Sequence, residues 1–331
     1  MSQMMQSILR NSIRCKNEKL NVLVGATHEA YETNLAKTNC TFYALDHPSF
    51  KKWNSKFRKP PENYILLGDK LPPNVDFDLV LSQNKFGQFQ VLSEVARQYG
   101  LPLLSCEHTL PAPWWNEEQL RQCREMRGKY NLFISEYSLK GWGWENRNDT
   151  GVVHHAIDSD MFKPNQDLQR ENVCLSVVND WINRDVFCGF NIWKQIVDKH
   201  KIPVKVFGDT PGLSRPTNSI EELRDVYQSS RIFLNTSTIS PIPTVVLEAM
   251  SSGCAIVSTA TCMIPEIIEH GKNGFISNDI DELGEYCKLL MNDEELATKM
   301  GLAARQTIID RFNLQQFLNT WEDAFQRVLN W

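Results

Sequence analysis

Nothing in this sequence is long and apolar enough to cross a membrane: its hydrophobic residues come in short runs of about half a dozen. An excess of positive charge is also missing. The formal net charge is −5, which gives no reason to expect nucleic acid as a partner. The nine cysteines are odd in number and show no close paired spacing, so a disulfide framework is not expected and free thiols in a reducing compartment are. No His/Cys set has zinc spacing. There is no repeat of 20–50 residues and no low-complexity segment. No Gly-x-Gly-x-x-Gly follows a strand-like run, which counts against a dinucleotide oxidoreductase. Residues 1–19 hold Arg10, Arg14, Lys16 and Lys19 beside Ile8, Leu9 and Ile13. They lack the continuous apolar core of a signal peptide and read as a short extra helix. The expectation is a cytoplasmic protein.

What is present is an alternation. A hydrophobic content of 42% over 331 residues supplies two cores, on a prior of about 150 residues per domain. Charge is uneven: 19 basic and 16 acidic residues up to Ile157, then 16 and 24. Strand-like apolar runs occur at 20–25, ending in Gly25, and at 41–45, 64–67, 79–82, 101–105, 132–135 and 152–153. A second series occurs at 173–178, 204–207, 232–234, 254–258 and 274–277. Helical spacing lies between them. Phe89, Leu92, Val95, Ala96 and Tyr99 form one such stripe, ended by Gly100, and Ser219-Ile-Glu-Glu222 has capping-box spacing. Strands that alternate with helices predict parallel sheets covered on both faces. Polar residues and Pro164 interrupt the pattern near 158–169. The predicted domains are therefore 1–157 and 158–312, with helices opening near Asp281, Asp293 and Asn313.

Ligands of such sheets bind beyond the carboxyl ends of the strands. The residues to follow are Gly25-Ala-Thr27, Gln83-Asn-Lys85, Glu107-His108, Ser135-Glu136 and Gly208. The most informative stretch is Ser237-Thr-Ile-Ser-Pro-Ile-Pro-Thr-Val-Val-Leu-Glu-Ala-Met-Ser-Ser-Gly253, followed by Cys254-Ala-Ile-Val-Ser258. It reads as loop, helix and buried strand. Pro243 suits the first helical position and Gly253 the end. The N–H groups of Thr244 and Val245 then point out of the positive end of a helix dipole, an anion site. Glu248 lies one turn on, on the face of Thr244. Diphosphate on the N–H groups and ribose hydroxyls on Glu248 would accommodate a nucleotide.

This stretch resembles the nucleotide-sugar segment of the retaining glycosyltransferases of family 4, whose fold (GT-B) is a pair of Rossmann-like α/β domains. Their Glu-x7-Glu pattern ends here in Glu248-Ala-Met-Ser-Ser-Gly253, with Ser240 in place of the first acid. The resemblance extends to Leu101-Pro-Leu-Leu-Ser-Cys-Glu-His108, to the linker around Asp158, Phe162 and Pro164, and to Pro265-Glu-Ile-Ile-Glu-His-Gly-Lys-Asn-Gly274. The family has Asn-Gly where this chain has His155-Ala156. It covers most of 20–325 and is strongest from Val204 onward. It implies a cleft between the domains, the donor on the second and the acceptor mainly on the first. It also implies a last helix, 313–331, packed back on the first domain. It implies retention of anomeric configuration without a metal or other cofactor, the donor being a UDP- or GDP-linked sugar. His108 would be the cleft histidine that contacts the donor sugar. In the family's Gly-Arg-x-x-x-x-Lys-Gly loop the Lys falls at Cys188, which leaves Arg184 as the cation for the diphosphate.

The implied partners are a nucleotide sugar and a glycan, lipid-linked or small-molecule acceptor. A non-catalytic binder of nucleotide sugars or glycans, or a nucleotide-sugar epimerase or hydrolase, stays open as an alternative. Trp114 or Trp115 is a candidate for stacking on an acceptor ring. The basic stretch 51–59 is a candidate for contact with an anionic acceptor or a membrane surface, or a solvated charged edge. Asp76-Phe-Asp78 spells the DxD of metal-dependent transferases, but it precedes a strand and so lies at the wrong end for a parallel-sheet site.

Overall fold

A computed structural model describes residues 18–55 and 57–330. The expected helix within 1–19 lies outside the described residues except for its last two positions. The chain divides into two compact units. Unit 1 runs to His155 and takes in the residues from Gln315 onward, and unit 2 is Ala156–Leu314. Each is described by itself.

Unit 1 contains β1 (Leu20–Val24), α1 (Glu29–Leu35), β2 (Cys40–Ala44), β3 (Tyr64–Leu66) and β4 (Leu79–Ser82). It continues with α2 (Phe89–Tyr99), β5 (Leu103–Glu107), α3 (Glu117–Glu125), β6 (Tyr130–Phe133), α4 (Glu136–Gly141) and β7 (Thr150–Val152). The seven strands are parallel, in the order β3-β2-β1-β4-β5-β6-β7. All residues of β4 and β6 are buried, as expected of strands covered on both faces. The order reverses between β1 and β4, and that switch point is where such sheets open a crevice at their carboxyl ends. Gly25 and Gln83 lie at its mouth.

The last helix of the chain belongs to this unit. Phe317, Trp321, Ala324, Phe325 and Val328 form its buried stripe at helical spacing. The Trp321 indole N–H donates to the Tyr31 hydroxyl at 3.2 Å, and Lys129 Nζ donates to the Val328 carbonyl at 2.9 Å.

Unit 2 contains β8 (Glu171–Val177), α5 (Asp185–Cys188), α6 (Phe190–His200), β9 (Val204–Phe207), α7 (Ile220–Ser229) and β10 (Ser230–Asn235). It continues with α8 (Thr244–Ser251), β11 (Ala255–Ser258), α9 (Ile264–Ile267), β12 (Phe275–Ile276), α10 (Ile280–Asn292) and α11 (Glu294–Arg311), after which α12 (Leu314–Asn330) returns to unit 1. Its five strands are parallel in the order β12-β11-β10-β8-β9, with a switch point between β8 and β10. The loops after β8 and β10 therefore flank its crevice. Those loops carry Arg184 and Ser240. Trp181, Trp193, Ile232, Leu234 and Val257 are among the buried core below.

Candidate functional site

In unit 2 the site is built from strand-end loops that hold one another. Asp180 N–H donates to the Asp209 carbonyl at 2.7 Å, and Asp209 N–H donates to Asn179 Oδ1 at 2.8 Å. Gly208 makes this approach feasible. Its φ is +119°, and a Cβ there would sit 2.0 Å from the Val178 carbonyl oxygen. On the other side, Thr238 N–H and Ile239 N–H both donate to the Phe187 carbonyl, at 3.0 and 3.2 Å. The hydroxyls of Thr259 and Thr261 donate to the Ser237 carbonyl at 2.5 and 2.6 Å. The loop that delivers the chain to α8 is thus fixed from both sides. Ser240 lies in it, half-buried.

Helix α8 begins at Thr244. Pro243 is the N-cap, with φ −70° and ψ 118°, rather than the first helical residue as the sequence suggested. Its extended ψ leaves the turn to start one residue later, and Val246 N–H closes on the Pro243 carbonyl at 3.0 Å. The Pro243 side chain has nothing with which to cap this start, and no acid lies in its first turn. Helices α7, α10 and α11 differ, each having a capping Ser or Asp and acids in the first turn. A helix start of this kind can receive an anion on its first N–H groups, here those of Thr244 and Val245, although the helices that start at Phe89 and Phe190 also lack a side-chain cap and first-turn acids. The far end closes as a Schellman turn, with Cys254 N–H donating to the Ala249 carbonyl and Gly253 N–H to that of Met250, both at 3.0 Å.

Glu248, one turn from Thr244, is recessed at 7% exposure. The Tyr227 hydroxyl donates to its Oε2 at 2.9 Å. Burial and the adjacent carboxylate push the Tyr227 phenol well above its ordinary pKa, so it stays a donor. Tyr227 gave no signal in the sequence beyond an apolar helix face.

Arg184 is exposed and donates to the Asn179 carbonyl at 3.4 Å. Asp185 accepts from the N–H and amide of Asn191, at 2.7 and 2.6 Å. Cys188, at the position where the resemblance implies a lysine, is buried, and burial raises its thiol pKa. Its carbonyl takes the Trp181 indole N–H at 2.8 Å.

In unit 1 the loop after β1 is held from below. Gln88 Nε2 donates to the carbonyls of Gly25 (3.2 Å) and Ala26 (2.9 Å) and to the Thr27 hydroxyl (3.0 Å). A Cβ on Gly25 would lie 3.0 Å from both Gln88 and Phe50. Glu32 on α1, fully buried, accepts from Thr27 N–H at 3.1 Å and Gln83 Nε2 at 2.7 Å. Sequence reasoning missed Glu32 and Gln88, because their partners are about 50–60 residues away.

His108 follows β5 directly. Its ring lies 4.6 Å from that of Tyr31, edge to face, and 6.1 Å from that of His155. Its Nε2 is enclosed and has no hydrogen-bond partner among the described residues. Burial, aided by His28, pushes its pKa down to about 3, so the imidazole is neutral. Trp115 packs against Phe86 (5.2 Å) and Trp142 (6.1 Å), while Trp114 is 59% exposed. In the basic stretch, Lys51 pairs with Glu29 at 2.7 Å and Lys52 reaches Asp46 at 3.5 Å, so two of its cations already face carboxylates. Lys56 lies outside the described residues. Asp78 is fully buried before β4 and accepts from Asn21 N–H at 2.7 Å, at the end of the sheet opposite the crevice.

Two parallel-sheet units of this kind constitute the GT-B fold. HepE from Anabaena, solved in complex with UDP, superposes with a TM-score of 0.73 at 14% identity, covering 93% of this chain and 99% of that one. Sucrose-phosphate synthase from Thermosynechococcus elongatus superposes at 0.74 with 12% identity, covering 94% and 99%. Residues 216–307 match the family of glycosyl transferases group 1. Sulfoquinovosyl transferase SQD2 of Arabidopsis thaliana is 35% identical over 107 residues, 31% of this chain and 21% of that protein. N-acetyl-alpha-D-glucosaminyl L-malate synthase of Bacillus anthracis is 29% identical over 111 residues, 33% of this chain and 29% of that protein. The chain thus spans less than a third of the length of these two relatives.

Proposed function

We propose that the protein is a retaining glycosyltransferase. It moves a sugar from a UDP- or GDP-linked donor to a hydroxyl of a glycan, lipid-linked or small-molecule acceptor, without a metal or other cofactor. The observation that carries this is the pairing on α8 of an uncapped helix start with a recessed carboxylate one turn on, Glu248, oriented by Tyr227. The helix start takes the diphosphate and Glu248 takes the ribose hydroxyls. Arg184 meets the charge that develops on the leaving diphosphate, a stabilisation worth most as the bond breaks. In unit 1, the neutral imidazole of His108 serves the transferred sugar. The leaving phosphate assists deprotonation of the acceptor, so the protein supplies position and charge rather than a nucleophile. The eight cysteines among the described residues are all free, which supports a reducing, cytoplasmic setting. Contact with a membrane surface is left to the basic stretch 51–59.

Calorimetry with UDP and GDP tests the assignment. Charge-assisted hydrogen bonds contribute about 1.5–3 kcal/mol, so Glu248→Ala weakens the preferred nucleotide roughly ten- to a hundredfold. Unchanged binding would mean that α8 is not the nucleotide site. A second reading, a nucleotide-sugar binder without turnover, is favoured by Ser240 and by the buried Cys188 where the resemblance implies an acid and a lysine. Donor turnover, followed as released nucleoside diphosphate with product analysis, separates the two and also exposes an epimerase or hydrolase.

A further inference from the structure

We propose that Glu107 and Thr109 form a clamp that positions His108, an assignment that rests on His108 serving the reaction as proposed above. Glu107 is the last residue of β5 and is 1% exposed. Its Oε1 accepts from the Thr109 N–H at 2.9 Å and from the Thr109 hydroxyl at 2.5 Å. Its Oε2 accepts from the Lys85 N–H at 3.1 Å. One carboxylate therefore bridges the loop after β4 to the residue beyond His108 and spans His108 itself. Thr109 is fixed from its other side as well: its carbonyl accepts from the Ser138 hydroxyl at 3.2 Å and the Trp142 indole N–H at 3.0 Å. Both chain neighbours of His108 are thus tied down, while its Nε2 has no hydrogen-bond partner among the described residues.

A buried carboxylate needs compensation. Lys85 is 2% exposed and supplies it from a distance. Its Nζ donates to the Met126 carbonyl at 2.6 Å and lies 5.4 and 5.0 Å from the ring centroids of Trp142 and Trp144. The ammonium is solvated by one carbonyl and two indole faces, the geometry of a cation–π site. The carboxylate keeps its oxygens for the three donors that shape the turn. Such a clamp matters because a catalytic group displaced by about 1 Å can cost a hundredfold in rate.

The probe is the histidine ring itself, observed by NMR on the full chain with 15N-labelled histidine, His108 being assigned by its loss in His108→Ala. Thr109→Val removes one donor to Glu107 with little change of volume, and Thr109→Ser retains it. Expected are shifted or broadened ring signals of His108 in Thr109→Val and in Glu107→Gln, wild-type signals in Thr109→Ser, and unchanged signals of His28 and His155 throughout. Equal disturbance of all three histidines marks a general loosening and overturns the proposal, as do wild-type His108 signals in Thr109→Val.

Turnover of UDP-glucose and GDP-glucose supplies the second arm. Thr109→Val is expected to lower kcat roughly tenfold with donor KM unchanged, and to cost nothing further in a His108→Ala background, since the two act as one unit. An equal loss in both backgrounds overturns the clamp while the role of His108 stands. If His108→Ala turns over at the wild-type rate, the function assigned to His108 fails and the clamp fails with it.

Discussion

Glu32 holds its proton more tightly than an ordinary carboxyl. It is fully buried, and burial pushes its carboxyl pKa from an ordinary 4.5 up to about 8. Tyr64 and Gln83 face it, Thr27 N–H donates to it, and Glu29 adds like charge from the same helix. The folded state thus holds a proton that the unfolded chain has released. Stability contributed by this group is full below about pH 4.5 and is lost as pH rises through about 8. Glu32→Gln keeps an acceptor oxygen and cannot ionise. Its melting temperature should therefore gain on wild type between pH 5 and pH 9, and a constant difference across that range would contradict the assignment. His108 runs the other way. Its pKa is depressed from 6.5 to about 3, so its contribution is full above pH 6.5 and lost as pH falls towards 3. His108→Ala should lose less stability than wild type between pH 6.5 and pH 4, as read from urea midpoints at each pH.

At the scale of elements, a hydrogen bond from the Tyr227 hydroxyl to Glu248 joins α7 to α8. Tyr227→Phe keeps the ring packed against Phe162 and Phe233 but leaves the recessed carboxylate without that donor. Nucleotide affinity is expected to fall by roughly three- to thirtyfold, less than in Glu248→Ala, with the thermal midpoint lowered by a few degrees. Titration of UDP or GDP into both variants checks the order.

Much of α8 was legible in the sequence because its end signals are local: Gly253 closes it five residues after Glu248. The start was misjudged by one residue, since Pro fits both the cap and the first turn. Strand β5 begins at Leu103 rather than at Leu101 because Leu101 N–H closes α2 on the Ala96 carbonyl and Pro102 has no N–H to give. Strand β6 begins and ends earlier than its apolar run suggests. Asn131 is a buried polar residue whose amide caps the Gly128 turn, and Ser135 is the cap of α4. Only half of the capping box at Ser219 forms: Ser219 accepts Glu222 N–H, while the Glu222 carboxylate turns to Arg215 and the Asn218 N–H. Helices α1, α4 and α5 span two turns or fewer, too short for a period to show. Glu32 bonds Gln83 across 51 residues and Glu107 bonds Lys85 across 22, so neither link could be read locally, whereas the Glu107–Thr109 pairing spans only two positions.

At the scale of the whole molecule, the proposed function assigns the diphosphate to the start of α8 and to Arg184, while Asp78 of the DxD sequence accepts from Asn21 N–H. Donor turnover is therefore expected to survive EDTA. Full loss on chelation, restored by manganese or magnesium, would contradict this.

The return of α12 to unit 1 also has a temporal meaning. A ribosome delivers the seven strands of that sheet first, then every residue of unit 2, and only afterwards the helix whose Trp321 meets Tyr31 and whose Phe325 lies 6.4 Å from Phe42. Unit 2 can complete its core while the earlier sheet still waits for its cover. The usual order, first domain folded first, is therefore expected to reverse in this chain. A nascent chain halted before Gln315 should show protease-resistant unit 2 beside a digestible sheet, with the chaperone-exposed aromatics on the half that was made first.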